Sequence, residues 1–248
     1  MNEDCIVTII TVTYNAESVI DKTLKSLKSQ KFKNFEYLVI DGKSSDSTVK
    51  KVNESSIQNT TLLVEKDNGL YDAMNKGINL AKGKYILFLN AGDSFHSEDT
   101  LQDYINEANQ DKDIIYGDTV IVNKNDEIIS NRHLSAPSVL TKKSFSHGML
   151  ICHQAFMVKK EIAPYYNLSY KFSADYDWCQ KCIENSNIEK CVNLNKVTID
   201  YLDNGLTDNN KIKSLIERFR IMSKHYGFFL AFYRHFSFIF RALKRRSI

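Results

Sequence analysis

Four carboxylates in this chain, Asp41, Asp93, Asp175 and Asp177, have surroundings that suit them to chemistry. Asp93 lies in the stretch Y-I-L-F-L-N-A-G-D-S-F (85 to 95), where Tyr85 to Leu89 is an apolar run too short for a helix. That run predicts a strand buried on both faces at the centre of a parallel sheet. A carboxylate just past the carboxyl end of such a strand faces the crevice where open α/β sheets take ligands, and Gly92 lets the backbone turn tightly beside it. If the ligand is a diphosphate, Asp93 is placed to hold its Mg²⁺ or Mn²⁺. The competing reading is a carboxylate in the turn before a helix opened by Ser97. Asp41 ends an earlier strand at the same edge, where it can accept from a nucleobase N–H or a ribose hydroxyl, or simply make an Asx turn. Asp175 and Asp177 sit at the start of a helix on different faces, so only one can point at a substrate. The alternative is that both are acids favoured by the helix dipole.

The elements that must carry these groups follow from the periodicity. Cys5 to Val12 predicts a strand, Ile20, Leu24 and Leu27 a helix, and Phe35 to Ile40 a second strand, making a βαβ unit. Lys43 to Thr48 is rich in capping side chains, Thr61 to Val64 is a third strand, and Asp67-Asn68-Gly69 turns into a helix with Leu70, Met74 and Ile78 on one face. After Asp93 the pattern becomes mixed. A helix carries Leu101, Tyr104 and Ile105, and Ile114 to Val122 with Glu127 to Ile129 forms a hairpin turning at Lys124-Asn125-Asp126. Ala155 to Val158 is a short strand, Tyr176 to Glu184 a helix, and Lys190 to Leu194 and Val197 to Tyr201 are two further short strands.

Composition narrows the class. A chain of 248 residues with 43% apolar content can bury one large core, and a net charge of +3 is too weak to imply nucleic acid. Five irregularly spaced cysteines and an amino terminus without a signal-peptide pattern point to a reducing cytoplasm. Cys179 and Cys182 form a C-x-x-C without a second pair, which favours core packing over zinc. His153 and Gln154 interrupt an apolar run, as side chains facing a cleft would, or as a satisfied core histidine would.

Five linked stretches carry a resemblance: T-V-T-Y-N-A-E (11 to 17), V-I-D-G-K-S-S-D-S-T (39 to 48), D-N-G-L-Y-D-A-M-N-K-G (67 to 77), A-K-G-K-Y-I-L-F-L-N-A-G-D (81 to 93) and S-A-D-Y-D-W (173 to 178). In order and spacing this set resembles the family-2 glycosyltransferases of the GT-A fold, among them bacterial enzymes that build surface polysaccharides such as O-antigen or capsule on a lipid carrier. The resemblance implies an α/β fold with a mixed, mostly parallel sheet, and an inverting transferase using a UDP-hexose or UDP-N-acetylhexosamine with Mn²⁺ or Mg²⁺. It implies a GT-A domain over 1–210, with a nucleotide-sugar half (5–95) and an acceptor half (96–210). By position Asp175 is the general base, with Asp177 as runner-up, and Asp93 the metal ligand. Thr13, Asn15, Glu17, Asp41, Asp72, Asn75 and Lys76 are donor-binding, and His153 and Gln154 meet a phosphate or the acceptor. The chain departs from the pattern at Asn90, Ala91 and Gly92, which leave one acid in the metal triplet, and at Gly42, Met74 and Ala174.

Residues 211–248 read as a helical tail. Ile212, Leu215, Ile216, Phe219 and Met222 predict an amphipathic helix. Phe228, Phe229, Phe232, Phe236 and Phe240 with Arg234, Arg241, Lys244, Arg245 and Arg246 predict a segment lying in an anionic membrane interface, or packed on the domain or a partner subunit. The expected setting is therefore the inner face of the cell membrane, with a lipid-linked glycan acceptor and scope for a homo-oligomer. Two other functions fit the fold class. A sugar-nucleotide pyrophosphorylase needs a glycine-rich phosphate loop after the first strand, and 11 to 17 contains no glycine. A catalytically inactive scaffold would tolerate loss of Asp93 and Asp175, and both are present.

Overall fold

The computed structural model describes residues 6–203 and 211–235. The first half alternates strand and helix as the periodicity requires: β1 (Val7–Thr13), α1 (Ile20–Ser29), β2 (Glu36–Asp41), α2 (Thr48–Glu54), β3 (Thr60–Val64), α3 (Leu70–Leu80) and β4 (Tyr85–Phe88). These four strands pair in parallel in the order β3-β2-β1-β4. Successive residues point to opposite faces, and both faces are covered. Ile9, Val39 and Leu87 pack with α1 through Ile20, Leu24 and Leu27, while Ile10, Leu38, Ile40 and Phe88 pack with α3 through Met74 and Ile78.

The second half holds β5 (Ser94–Phe95), α4 (Thr100–Ala108), the hairpin of β6 (Ile114–Val122) and β7 (Ile128–Asn131), β8 (Phe156–Lys159), α5 (Ala174–Asn185), β9 (Cys191–Leu202) and α6 (Lys211–Tyr226). Among the described residues the sheet runs β3-β2-β1-β4-β8-β6-β9-β5, with β7 beside β6. β4 therefore does not lie inside a parallel sheet. It pairs in parallel with β1 and antiparallel with β8, at the seam between the two halves. The two short strands expected at 190–194 and 197–201 are one strand, β9, whose pairing with β6 shifts register around Asp118, where Asn195 takes a positive φ of 52°. This local irregularity, with polar Asn193, Asn195 and Lys196, breaks the apolar alternation without breaking the strand.

The expected tail helix is part of the body. Ile221 and Met222 of α6 are fully buried in the core that also holds Trp178, Cys179 and Cys182 of α5. Its apolar face is not the expected one in the first turns, where Ile212, Leu215 and Ile216 are exposed and Ser214 is buried. Residues 228–235 are helical, with Ala231 buried and the His235 ring against Phe219. Cys5, Phe236, Phe240, Arg241, Lys244, Arg245 and Arg246 lie outside the described residues.

Candidate active site

The carboxyl ends of β1, β2 and β4 lie at one edge of the sheet, and His153 ties the end of β4 to Asp175 at the amino end of α5, which makes this edge the candidate cleft. Along it, Thr13 at the end of β1 donates from Oγ1 to Asp41 Oδ2 at 2.8 Å. Ser44 donates its N–H to Asp41 Oδ1 at 2.7 Å and its hydroxyl to Oδ2 at 2.6 Å. Asp41 is fully buried, so its carboxylate shapes the loop after β2. Asn15 and Glu17 clasp the same loop: Ser45 N–H donates to Asn15 Oδ1 at 2.9 Å and Ser47 N–H to Glu17 Oε2 at 2.8 Å. The structure thus brings together Thr13, Asn15, Glu17 and Asp41 as expected, with their polar atoms engaged in building the loop.

Gly42, itself buried, begins the loop after β2. A Cβ there would come within 2.5 Å of Asp67 Oδ2 and 3.3 Å of the Tyr14 ring, so the missing side chain makes room for a carboxylate delivered from the turn before α3. Asp67 occupies the place that the sequence left without an acid after Asp41. It was missed because a D-N-G turn already explains an aspartate: its Oδ1 accepts the Gly69 N–H at 2.9 Å. Tyr14 beside it is 68% exposed.

The α3 candidates are engaged with protein. Asp72 accepts the Asn68 N–H at 2.9 Å. Asn75 makes a two-way clasp with the Tyr166 backbone, at 3.0 and 2.7 Å. Lys76 reaches Glu65 Oε1 at 3.1 Å and the Lys66 carbonyl at 2.8 Å. The helix contributes instead through Tyr71, whose hydroxyl donates to Asp175 Oδ1 at 3.3 Å. Burial and the neighbouring Asp175 charge push the Tyr71 phenol well above its ordinary value, so it stays a proton donor. A tyrosine on the buried face of an amphipathic helix reads as core, and its ring does stack on Tyr166, which stacks on Trp178.

Asp175 and Asp177 separate cleanly. The Asp175 side chain is 23% exposed, between Tyr71 and His153, with Oδ2 3.8 Å from His153 Nδ1. Asp177 is buried on the far face of α5, 2.9 Å from His225 Nε2 and 2.6 Å from Lys181 Nζ. Burial alone would raise the Asp177 pKa, but His225 and Lys181 overrule it and hold the carboxyl below its usual range. The runner-up base thus faces α6, away from the cleft, because residues two apart on a helix lie about 200° apart around it.

His153 and Gln154 join Asp175 to the end of β4. Burial holds the His153 pKa down against the attraction of Asp175, so the ring is neutral near pH 7. Its Nε2 lies 3.4 Å from Asn90 Nδ2 and its Nδ1 faces Asp175, an arrangement that suits the tautomer protonated on Nδ1. Gln154 is fully buried, accepts the Asn90 N–H and donates from Nε2 to Asp93 Oδ2. Nearby, the Arg132 guanidinium is fixed by the carbonyls of Met149 at 2.7 Å and Leu150 at 3.0 Å, and its charge reaches His153. No pattern in the sequence marked it.

Asp93 follows Gly92, which turns with a positive φ of 97° as expected. Its carboxylate is nearly closed to solvent, and both oxygens are engaged: Oδ2 with Gln154 Nε2, Oδ1 with the Leu202 N–H at 2.7 Å. Burial pushes its pKa up to about 7, against those two bonds and the charge of Lys22. The residues as placed do not form a cation cage. Asp93 would have to release a partner to ligate a metal directly, the buried Asn90 Oδ1 is the orphan polar atom beside it, and among the described residues no three His, Cys, Asp or Glu side chains cluster as metal ligands. Burial raises the thiol pKa of Cys179 and Cys182 well above the ordinary value, which keeps both as neutral core groups.

A doubly covered α/β sheet whose strand ends gather a polar loop, a turn acid and a carboxylate on a facing helix is the GT-A fold, which solved glycosyltransferase structures share. The chain belongs to glycosyltransferase family 2: the model described as Glycosyl transferase family 2 matches residues 8–164. It is 33% identical over 187 residues to the PGL/p-HBAD biosynthesis glycosyltransferase of Mycobacterium bovis (strain BCG / Pasteur 1173P2), covering 71% of this chain and 69% of that protein. It is 25% identical over 222 residues to the UDP-Glc:alpha-D-GlcNAc-diphosphoundecaprenol beta-1,3-glucosyltransferase WfgD of Escherichia coli, covering 89% and 86%. The fold is shared with S. aureus TarS 1-349 in complex with UDP-GlcNAc, at a TM-score of 0.72 and 19% identity over 89% of this chain and 65% of that one. It is shared also with the mannosyltransferase PcManGT of Pyrobaculum calidifontis in complex with GDP-Man and Mn²⁺, at a TM-score of 0.64 and 15% identity over 90% and 64%.

Proposed function

We propose that this glycosyltransferase moves a sugar, with inversion, from a UDP-hexose or UDP-N-acetylhexosamine to a hydroxyl of a lipid-linked glycan, with Asp175 as the base. The observation that carries the reading is the placement of Asp175: of the two acids on the first turn of α5, it alone keeps an open face toward the cleft. Tyr71 bonds Oδ1, which leaves Oδ2 to take the proton of the acceptor hydroxyl. As that oxygen bonds to the anomeric carbon, the bond to the diphosphate breaks on the opposite face and the nucleotide leaves with the electron pair. The nucleoside end lies over Gly42, with Tyr14 as a stacking face and Asp67 as an acceptor for base or ribose donors. The names of the Escherichia coli relative and of the S. aureus complex support a UDP-sugar donor, and the former supports a diphospholipid acceptor.

A divalent ion enters as a companion of the donor. Mg²⁺ and Mn²⁺ commonly take most of their ligands from phosphate oxygens and water, which suits a turn whose one carboxylate is already engaged. The Mn²⁺ named with the mannosyltransferase supports such an ion. The working place in this reading is the cytoplasmic face of the membrane. No helix among the described residues is long and apolar enough to cross it, so contact would be made by the exposed face of 228–235.

The test is a screen of nucleotide sugars for hydrolysis, with and without Mn²⁺, on wild type and Asp175→Asn. UDP release from one UDP-sugar that is lost in Asp175→Asn supports the reading. Full activity in Asp175→Asn refutes it.

A further inference from the structure

Helix α5 carries Asp175 in its first turn yet has no cap of its own. Ser173, at the capping position, makes no side-chain bond to the helix backbone, and its hydroxyl is turned to Ser214 of α6, 2.9 Å from Oγ and 3.2 Å from the carbonyl. The entering backbone is bound by a residue more than forty positions away. Glu217 of α6 accepts three successive N–H groups, from Lys171 to Oε1 at 2.9 Å and from Phe172 and Ser173 to Oε2 at 2.8 and 3.1 Å. Charge-assisted bonds to backbone N–H groups are roughly twice as strong as neutral ones, and a helix start with orphan donors is where an anion gains most. The Glu217 charge also reaches Tyr71, the donor to Asp175.

From this geometry we infer that Glu217 is a positioning residue for the base. Its carboxylate fixes residues 171–173 and thereby the placement of the first turn of α5, which holds Asp175 two residues further on. The inference rests on Asp175 being the base. It gives α6, which packs on α5 through Ile221 and Met222, a part in placing the base: a displacement of about 1 Å at a reacting group can cost on the order of 10²-fold in rate.

The experiment is a double-mutant cycle on full-length protein, reading hydrolysis of the UDP-sugar found active, with water in place of the acceptor, and UDP affinity by calorimetry. Glu217→Gln keeps the shape but presents an amide N–H₂ to backbone donors. It is expected to lower kcat by about 10- to 100-fold with KM for the donor and UDP affinity within about twofold of wild type. In an Asp175→Asn background the same change should cost less than about twofold, because the base it places is already gone. Equal losses in both backgrounds, or a parallel loss of UDP affinity, make Glu217 merely structural and overturn the inference. So does a Glu217→Gln enzyme at the wild-type rate while Asp175→Asn is dead. Asp175→Asn at the wild-type rate overturns the base assignment itself, and this role with it. Should Glu217→Gln not fold, amide exchange on wild type decides: Phe172 and Ser173 are expected to exchange as slowly as the middle of α5, and exchange at open-loop rates refutes the role.

Discussion

Tyr71 Oη stands 3.3 Å from Asp175 Oδ1, so a tyrosine of α3, in the first half of the chain, holds one oxygen of a carboxylate of α5, in the second. A bond from a neutral phenol to a charged acceptor is worth about 1.5–3 kcal/mol. Tyr71→Phe should therefore slow transfer by about tenfold or more while leaving UDP affinity unchanged, measured by steady-state kinetics beside calorimetry. An unchanged rate would mean that the bond does not persist when substrate is bound.

The two acids of α5 should fail in different ways. Asp175→Asn is expected to keep donor affinity and lose a factor of about 10² to 10⁴ in transfer, as for a missing general base. Asp177→Ala leaves His225 and Lys181 facing a buried gap and should cost about 3–5 kcal/mol of stability. Urea unfolding separates them: a dead Asp177→Ala enzyme with wild-type stability would show that the wrong acid was chosen.

Gly42→Ala tests the nucleoside pocket. A methyl group 2.5 Å from Asp67 Oδ2 must push that carboxylate aside, while the backbone at 42 needs no special conformation. UDP affinity should fall by about tenfold, about 1.4 kcal/mol, with little change in unfolding midpoint. Equal affinity in Gly42→Ala and wild type would place the base elsewhere.

Much of this fold is legible because the first half is built from local signals: strands apolar on both faces, and helices with apolar residues at turns of the same face, as at Ile20, Leu24 and Leu27. The site is legible by position and much less by contact. The sequence marks Asn75 for the donor and Gln154 for a phosphate or the acceptor, yet the bonds they make are with Tyr166 and Asp93, which lie 91 and 61 positions away. Tyr71 and Asp67 were hidden by adequate local explanations, a core ring and a turn acid. The first turns of α6 mislead because Ser214 and Glu217 face the body to serve α5, leaving Ile212, Leu215 and Ile216 outside. A periodicity of apolar residues cannot register a helix whose first turns dock through polar side chains.

His225 is expected to make the contact between α5 and α6 sensitive to pH. Burial would lower its pKa, but the bonds to Asp177 and Glu184, at 2.9 and 2.8 Å, raise it above the ordinary 6.5. A raised histidine contributes stability fully below its unfolded pKa, about 6.5, and loses it as pH rises through the folded value. The melting temperature of wild type should exceed that of His225→Phe most at pH 6 and below, with the gap narrowing as pH is raised through that window. A gap that does not change with pH would mean that the imidazole is neutral in the folded protein.

The last prediction concerns the face of 228–235. Ala231 and His235 turn inward, the latter reaching the Ala231 carbonyl at 3.1 Å and the Leu215 carbonyl at 3.3 Å, so the helical segment is anchored to α6 along one side. Phe229, Phe232 and Tyr233 stand on the other side, 58 to 87% exposed, while Phe228, 57% exposed, sets its ring edge-on to Phe219. Three large rings held outward, with the part-exposed Phe228 beside them, form an apolar patch on an anchored helix, and the sequence beyond it adds Arg241, Lys244, Arg245 and Arg246. Rings entering the acyl boundary would bind by apolar burial, while each cation near an anionic surface adds about 1 kcal/mol. Because Ala231 and His235 pack inward, cutting the chain after Tyr226 would expose Phe219 and disturb α6, so point changes are the cleaner probe. Phe229→Ser with Phe232→Ser should leave the unfolding midpoint and UDP affinity unchanged, but reduce sedimentation with vesicles containing anionic lipid. High salt should weaken wild-type attachment only in part, since it screens the cations and not the burial. If wild type fails to sediment at low salt, or the double variant sediments as well as wild type, the patch does not serve a membrane.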